Sequence, residues 1–117
     1  MTKEDVEEFL TKLKIAIDNH GLDVVPRDAN NEALIDLKLT PSIREQIVLH
    51  LAYHDYSDGP LHDDRQQSGN VWIFGIEVDD QEIYIKLKVV ELGEKKYAKC
   101  LSFHRAQYPI KYPFKQQ

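Results

Sequence analysis

The chain is poor in cysteine. Its 117 residues include one, Cys100, so no internal disulfide can form and a disulfide-stapled scaffold is excluded. Set in Ala98-Lys99-Cys100-Leu101, that thiol reads as a buried structural residue on a strand rather than a nucleophile. There is no apolar run long enough to span a bilayer, and Met1-Thr2-Lys3-Glu4-Asp5 does not read as a signal peptide. The expectation is therefore a reducing cytoplasm and no membrane partner. Glycine is scarce as well, with five in the chain. No phosphate-binding loop, dinucleotide glycine pattern, zinc-ligand spacing or hydrolase elbow is present, which removes the common nucleotide, zinc-finger and serine-hydrolase signatures.

What is present is an uneven charge. Residues 83–117 carry eight Lys/Arg against two Asp/Glu, a local charge of +6, whereas residues 1–82 carry seven against 18, or −11; the whole chain stands at −5. An acidic protein that concentrates its cations in one segment binds a polyanion locally, not over its whole surface. The same segment holds Tyr84, Tyr97, Phe103, His104, Tyr108, Tyr112 and Phe114. Cations interleaved with aromatics suit an anion whose bases can stack, which describes single-stranded RNA. The plainer alternative is a solvated strand face balanced by an acidic helix.

The length allows one domain, residues 1–117, with a single core. Thr2 and Asp5 form a capping-box pattern, and Val6, Phe9, Leu10, Leu13 and Ile17 recur at helical spacing until Gly21 ends the helix. Residues 22–26 read as an extended link. Asn30 and Asn31 are placed to cap a short helix through Ala33, Leu34 and Leu37. Thr40-Pro41 restarts a helix whose buried side is Ile43, Ile47, Val48 and Leu51. Residues 55–70 are rich in turn formers and read as one long loop.

The period then becomes two. Residues 71–78 form a strand, Asp79-Asp80 a tight turn, and residues 82–90 a strand with Ile83, Ile85, Leu87 and Val89 on one face and Tyr84, Lys86, Lys88 and Val90 on the other. Residues 96–104 form another, with Tyr97, Lys99, Leu101 and Phe103 opposite Ala98, Cys100, Ser102 and His104. Helices followed by a strand meander predict an α+β fold, N-terminal helices packed on one face of a C-terminal antiparallel sheet. Tyr84, Lys86, Lys88, Ser102 and His104 then share the open face.

On that face His104 can both accept and donate a proton, and Lys86 and Arg105 can hold a phosphate. The set suits phosphodiester cleavage without a metal, with Tyr84 as partner in proton transfer or as a stacking ring. Lys88 and Ser102 are expected to bind the RNA backbone nearby, and Asp63 to clamp Arg105 or Lys86. His50, His54, Asp55, Asp58, His62, Asp63 and Asp64 also crowd together, but they fit no ligand motif and read as a polar loop. No metal and no cofactor is expected.

Five strings carry a resemblance. Asp55-Tyr56-x-x-Gly59-Pro60-x-x-Asp63, Val71-Trp72-Ile73-Phe74-Gly75, Tyr84-Ile85-Lys86-Leu87, Cys100-Leu101-Ser102-Phe103-His104-x-Ala106 and Tyr112-Pro113, in that order, resemble the MqsR family of bacterial toxins. The resemblance implies a type II toxin–antitoxin toxin with a RelE-like fold. Its activity would be that of an mRNA interferase, an endoribonuclease that cuts single-stranded mRNA without metal or cofactor. It implies a cognate antitoxin as partner, with operator DNA reached only through that antitoxin. The family's tyrosine and lysine fall on Tyr84 and Lys86, and its strand end on Ser102-Phe103. The chain departs from the founding member in having His104 in place of a lysine and Ile73 in place of a glutamine. His104 is then the expected proton shuttle. Binding of RNA or protein without cleavage is the alternative.

Overall fold

The computed structural model describes residues 1–63 and 69–115. Among the described residues three helices, α1 (Lys3–His20), α2 (Asp28–Asp36) and α3 (Pro41–Leu49), and a 3₁₀ turn at Tyr53–Asp55 accompany five strands. These are β1 (Leu22–Val24), β2 (Tyr56–His62), β3 (Asn70–Val78), β4 (Gln81–Leu92) and β5 (Lys95–Arg105), in sheet order β1-β5-β4-β3-β2. The fold is α+β. The sheet is mixed and not purely antiparallel as expected, because β1 runs parallel to β5. Among the described residues no helix is long and apolar enough to cross a membrane.

The first helix forms as its sequence dictates. The amide of Asp5 donates to Thr2 Oγ1 at 3.1 Å and the amide of Thr2 donates to Asp5 Oδ2 at 3.1 Å, satisfying donors that a helix start leaves free. Its stripe of Val6, Phe9, Leu10, Leu13, Ala16 and Ile17 is buried. Phe9 stacks on Trp72 at 4.5 Å between ring centroids and meets Phe74 at 6.0 Å. The apolar face of β4, Ile83, Ile85 and Leu87, is fully buried beneath the helices. One core cluster joins these residues to Ala33, Val48, Cys100 and Phe103.

Several elements differ from expectation. Residues 22–24 are the edge strand β1, not a link. The first half of the expected loop is β2, an irregular strand paired with β3. Turn formers hide it because Gly59, at φ 114°, packs where a Cβ would lie 2.8 Å from Val71 O and 2.9 Å from Trp72 Cα. In α3 the buried residues are Arg44 and Val48, with Leu51 buried just beyond the helix and Ile43 46% exposed. A spacing of four keeps Arg44 and Val48 on one face, and the arginine stem supplies apolar cover.

Asn30 does not cap α2. Arg27 occupies the cap position, without a side-chain bond. Asn30 is instead buried, with Nδ2 donating to Val25 O at 2.9 Å and Leu101 O at 3.1 Å, and Oδ1 accepting from Phe103 N at 2.9 Å. These bonds sit at a bulge. Lys86 pairs with Ser102 but Leu87 pairs with Cys100, so Leu101 is the extra residue. The bulge resets the alternation of β5. Ala98, Cys100 and Phe103 all join the core, and Ser102 and His104 stay on the opposite face. Burial pushes the Cys100 thiol up to about 12, which suits a structural thiol.

The Asp79-Asp80 turn forms without glycine. Both residues take left-handed backbone, φ 50° and 63°, as a two-residue hairpin turn requires and as aspartate tolerates.

Candidate active site

The strand register brings the key residues into rows across the face turned away from the helices. Gly75, Tyr84 and His104 are direct neighbours across β3, β4 and β5. Asp58, Ile73, Lys86 and Ser102 form the next row, reaching β2. Two residues along a strand separate the rows by about 6.7 Å. Tyr84, Lys86 and His104 therefore come together on one surface.

The Tyr84 and His104 rings stack with centroids 5.6 Å apart and planes 21° apart. His104 Nδ1 lies 2.9 Å from Arg105 O. A carbonyl oxygen only accepts, so Nδ1 carries the proton, and Nε2 of the neutral ring holds a free lone pair. Burial first, and then the Asp58 carboxylate, push the Tyr84 hydroxyl above its ordinary 10.0, so the phenol keeps its proton throughout the neutral range. One ring presents a proton acceptor and its neighbour a proton donor.

A cleft of about 650 Å³ opens beside this pair. Tyr84, His104, Ile73, Leu61 and Asp58 form one side of it. The other side is the segment that follows β5, from Gln107 to Lys111. That segment is held by Glu82, whose Oε1 accepts from Ile110 N at 2.8 Å and whose Oε2 accepts from Tyr112 OH at 3.0 Å. Gly75 leaves it room, since a Cβ there would fall on the Tyr112 hydroxyl and lie 2.8 Å from Ile110 Cδ1. Phe114 completes the anchoring against the rings of Tyr53 and Tyr56.

The remaining expected site residues are placed differently. Lys88 does not face solvent. It is 1% exposed, and its ammonium donates to Asp63 Oδ2 at 2.6 Å. A lysine so enclosed and neutralised cannot bind RNA backbone. Asp63 therefore holds Lys88 and not Arg105 or Lys86. Ser102 is buried at 6% exposure, too enclosed for the backbone contact expected of it. Arg105 pairs through Nε with Asp36 Oδ2 at 2.9 Å, both side chains about half exposed. Lys86 is half-buried and has no acidic partner among the described residues.

No group of three or more His, Cys, Asp or Glu able to hold a metal assembles among the described residues. Asp64 of the histidine–aspartate stretch lies outside them. His50, the residue that caps the end of α3, has its Nδ1 2.7 Å from Gln46 O, and Asp58 lies in the cleft. Sequence reasoning missed Glu82 and the return of residues 107–111 over the sheet, and it read Asp58 only as part of a polar loop. The one signal for the segment was its pair of prolines, Pro109 and Pro113, which exclude a helix or a central strand there.

In comparison with known proteins, no family model, no curated protein and no solved structure matches the chain.

Proposed function

We propose that the protein is an MqsR-like toxin of a type II toxin–antitoxin system, an endoribonuclease acting on single-stranded mRNA in the cytoplasm with a RelE-like arrangement of helices on a sheet. The observation that supports this most is the stacked Tyr84–His104 pair beside an open cleft, with Nδ1 of the histidine committed to Arg105 O.

The reaction is a transesterification that needs no metal. Nε2 of His104 takes the proton of the ribose 2′-OH as O2′ forms its bond to phosphorus. The bond from phosphorus to O5′ breaks, and that oxygen takes a proton from the Tyr84 hydroxyl. The imidazolium then returns a proton to the phenolate, closing the cycle. Lys86, one row away, stabilises the added charge on the phosphorane. Arg105 keeps guanidinium donors beyond the one engaged by Asp36 and can bind the adjacent phosphate. The products are a 2′,3′-cyclic phosphate and a 5′-OH. A cognate antitoxin is the partner that restrains such an activity, and operator DNA is reached through it.

The test is incubation of purified protein with end-labelled single-stranded RNA in excess EDTA. Cleavage leaving the two stated ends, abolished in a folded His104→Ala protein, supports the reading. Intact RNA, or an undiminished rate in that variant, overturns it. Retention of RNA without cutting would establish the non-catalytic alternative.

A further inference from the structure

The segment that crosses the open face is built like part of the site. It leaves β5, and the amide of Ala106 donates to Glu82 O at 2.9 Å. Both carboxylate oxygens of Glu82 then hold it, at Ile110 and at Tyr112, and Gly75 supplies the seat. Pro109 and Pro113 fix the backbone on either side of these anchors, so little entropy is lost when a ligand touches it. Within this strap the side chains of Tyr108 and Lys111 make no hydrogen bond, ion pair or ring contact among the described residues. Tyr108 is 80% exposed although it lines the cleft. Lys111 also lines the cleft, is exposed, and has no acidic partner among the described residues. Lys115, by contrast, lies over the Tyr112 ring at 4.1 Å.

We infer that the strap is the second wall of an RNA-binding cleft, with Tyr108 stacking on one base and Lys111 binding a phosphate next to the scissile one. This rests on the reading of the cleft as a single-stranded RNA site. The chemistry matches that ligand. An aromatic ring and a cation on one anchored segment, lining the same cleft as the Tyr84–His104 pair, engage a base and a phosphate of the same strand. Lys111 takes the backbone role that Lys88, buried against Asp63, cannot perform. Asp58 repels phosphate at the β2 end of the cleft, which leaves that end to a base over Ile73 and Leu61. Glu82 is the positioning residue. It touches no substrate and sets where Tyr108 and Lys111 stand.

The experiment measures binding of a fluorescent single-stranded RNA carrying 2′-O-methyl groups throughout, which cannot be cut, by anisotropy over a range of salt. Lys111→Ala should weaken binding about fivefold at low salt and reduce the slope of log K against log salt by about 0.7, the share of one phosphate on a single strand. Tyr108→Ala should weaken binding about tenfold, and Tyr108→Phe should restore it. Lys12→Ala, on the outer face of α1, should change nothing. Glu82→Ala should raise KM toward that of the Lys111→Ala, Tyr108→Ala double variant while leaving kcat at saturating RNA within about twofold. If the unaltered protein binds no RNA, the reading of the cleft itself falls. If it binds, and Lys111→Ala and Tyr108→Ala both behave like Lys12→Ala, the strap's role alone is overturned.

Discussion

Lys88 and Asp63 form a buried ion pair, with Nζ and Oδ2 2.6 Å apart and almost no solvent access to either side chain. Removing one partner from such a pair strands a charge in the interior, at a cost of about 3–5 kcal/mol. Lys88→Met is expected to lower unfolding free energy by about that much in urea titrations. Lys88→Met with Asp63→Asn should recover a large part, since no uncompensated charge remains. At a concentration where Lys88→Met is still folded, its affinity for RNA should match that of the unaltered protein. A stable Lys88→Met protein with weakened RNA binding would return Lys88 to the surface role its strand position suggested.

Tyr84 ionises above its ordinary range because it is buried and because Asp58 stands near it. Both causes disfavour phenolate. Asp58→Asn removes the second cause only, so the Tyr84 titration, followed by phenolate absorbance against a Tyr84→Phe control, should move down while remaining raised. An upward or absent movement would show that Asp58 does not act on this hydroxyl.

Tyr112 is likewise pushed up, first by burial and then by its hydrogen bond to Glu82 and the charge of that carboxylate. A phenol held protonated in the folded state stabilises strap docking fully below its unfolded value near 10.0 and loses that stabilisation as pH rises toward the folded value. Cleavage of the strap by subtilisin, which needs no cation at the cut, should therefore accelerate above about pH 10. Tyr112→Phe should show the faster cleavage already at pH 8, because its hydrogen bond to a carboxylate, worth about 1.5–3 kcal/mol, is missing. Equal rates for the two proteins at pH 8 would remove the latch from the account.

Asn30 ties α2 to the β5 bulge through three hydrogen bonds, two of them to strand backbone. Asn30→Ala leaves the Phe103 amide and the Leu101 carbonyl unsatisfied in the interior, and it should cost at least about 2 kcal/mol. Because the bulge sets which face His104 occupies, the loss of cleavage activity should exceed the loss of folded protein measured by circular dichroism in the same sample. Parallel losses would confine Asn30 to stability.

Much of this arrangement was legible in the residues. The capping box at Thr2 and the alternation of β4 are local signals, and both formed as their patterns required. Tyr84, Lys86 and His104 were expected on one face and converge there, but His104 stands opposite Tyr84 because the extra residue Leu101 shifts the pairing of β4 and β5 by one. What was not legible depends on distant partners. β2 is a strand only because Gly59 lets it approach Val71 and Trp72. The facing of β5 depends on a bulge that Asn30 satisfies from another element. Lys88 looks like a solvated lysine until Asp63, 25 residues away, closes over it. The strap has no periodicity to read; Glu82 and Gly75 place it, and both lie in strands that look ordinary alone.

The central claim is that the 2′-hydroxyl beside the scissile phosphate is the nucleophile, activated by Nε2 of His104 across from the Tyr84 hydroxyl. It is tested most directly by single-turnover cleavage, in EDTA, of an RNA containing the cleaved linkage and of the same RNA with one 2′-deoxy substitution at that nucleotide. The account predicts that the two bind alike, that the first is cut to a 2′,3′-cyclic phosphate, and that the second stays intact at that linkage. Cutting of the deoxy-substituted strand at the same position and a similar rate would contradict it.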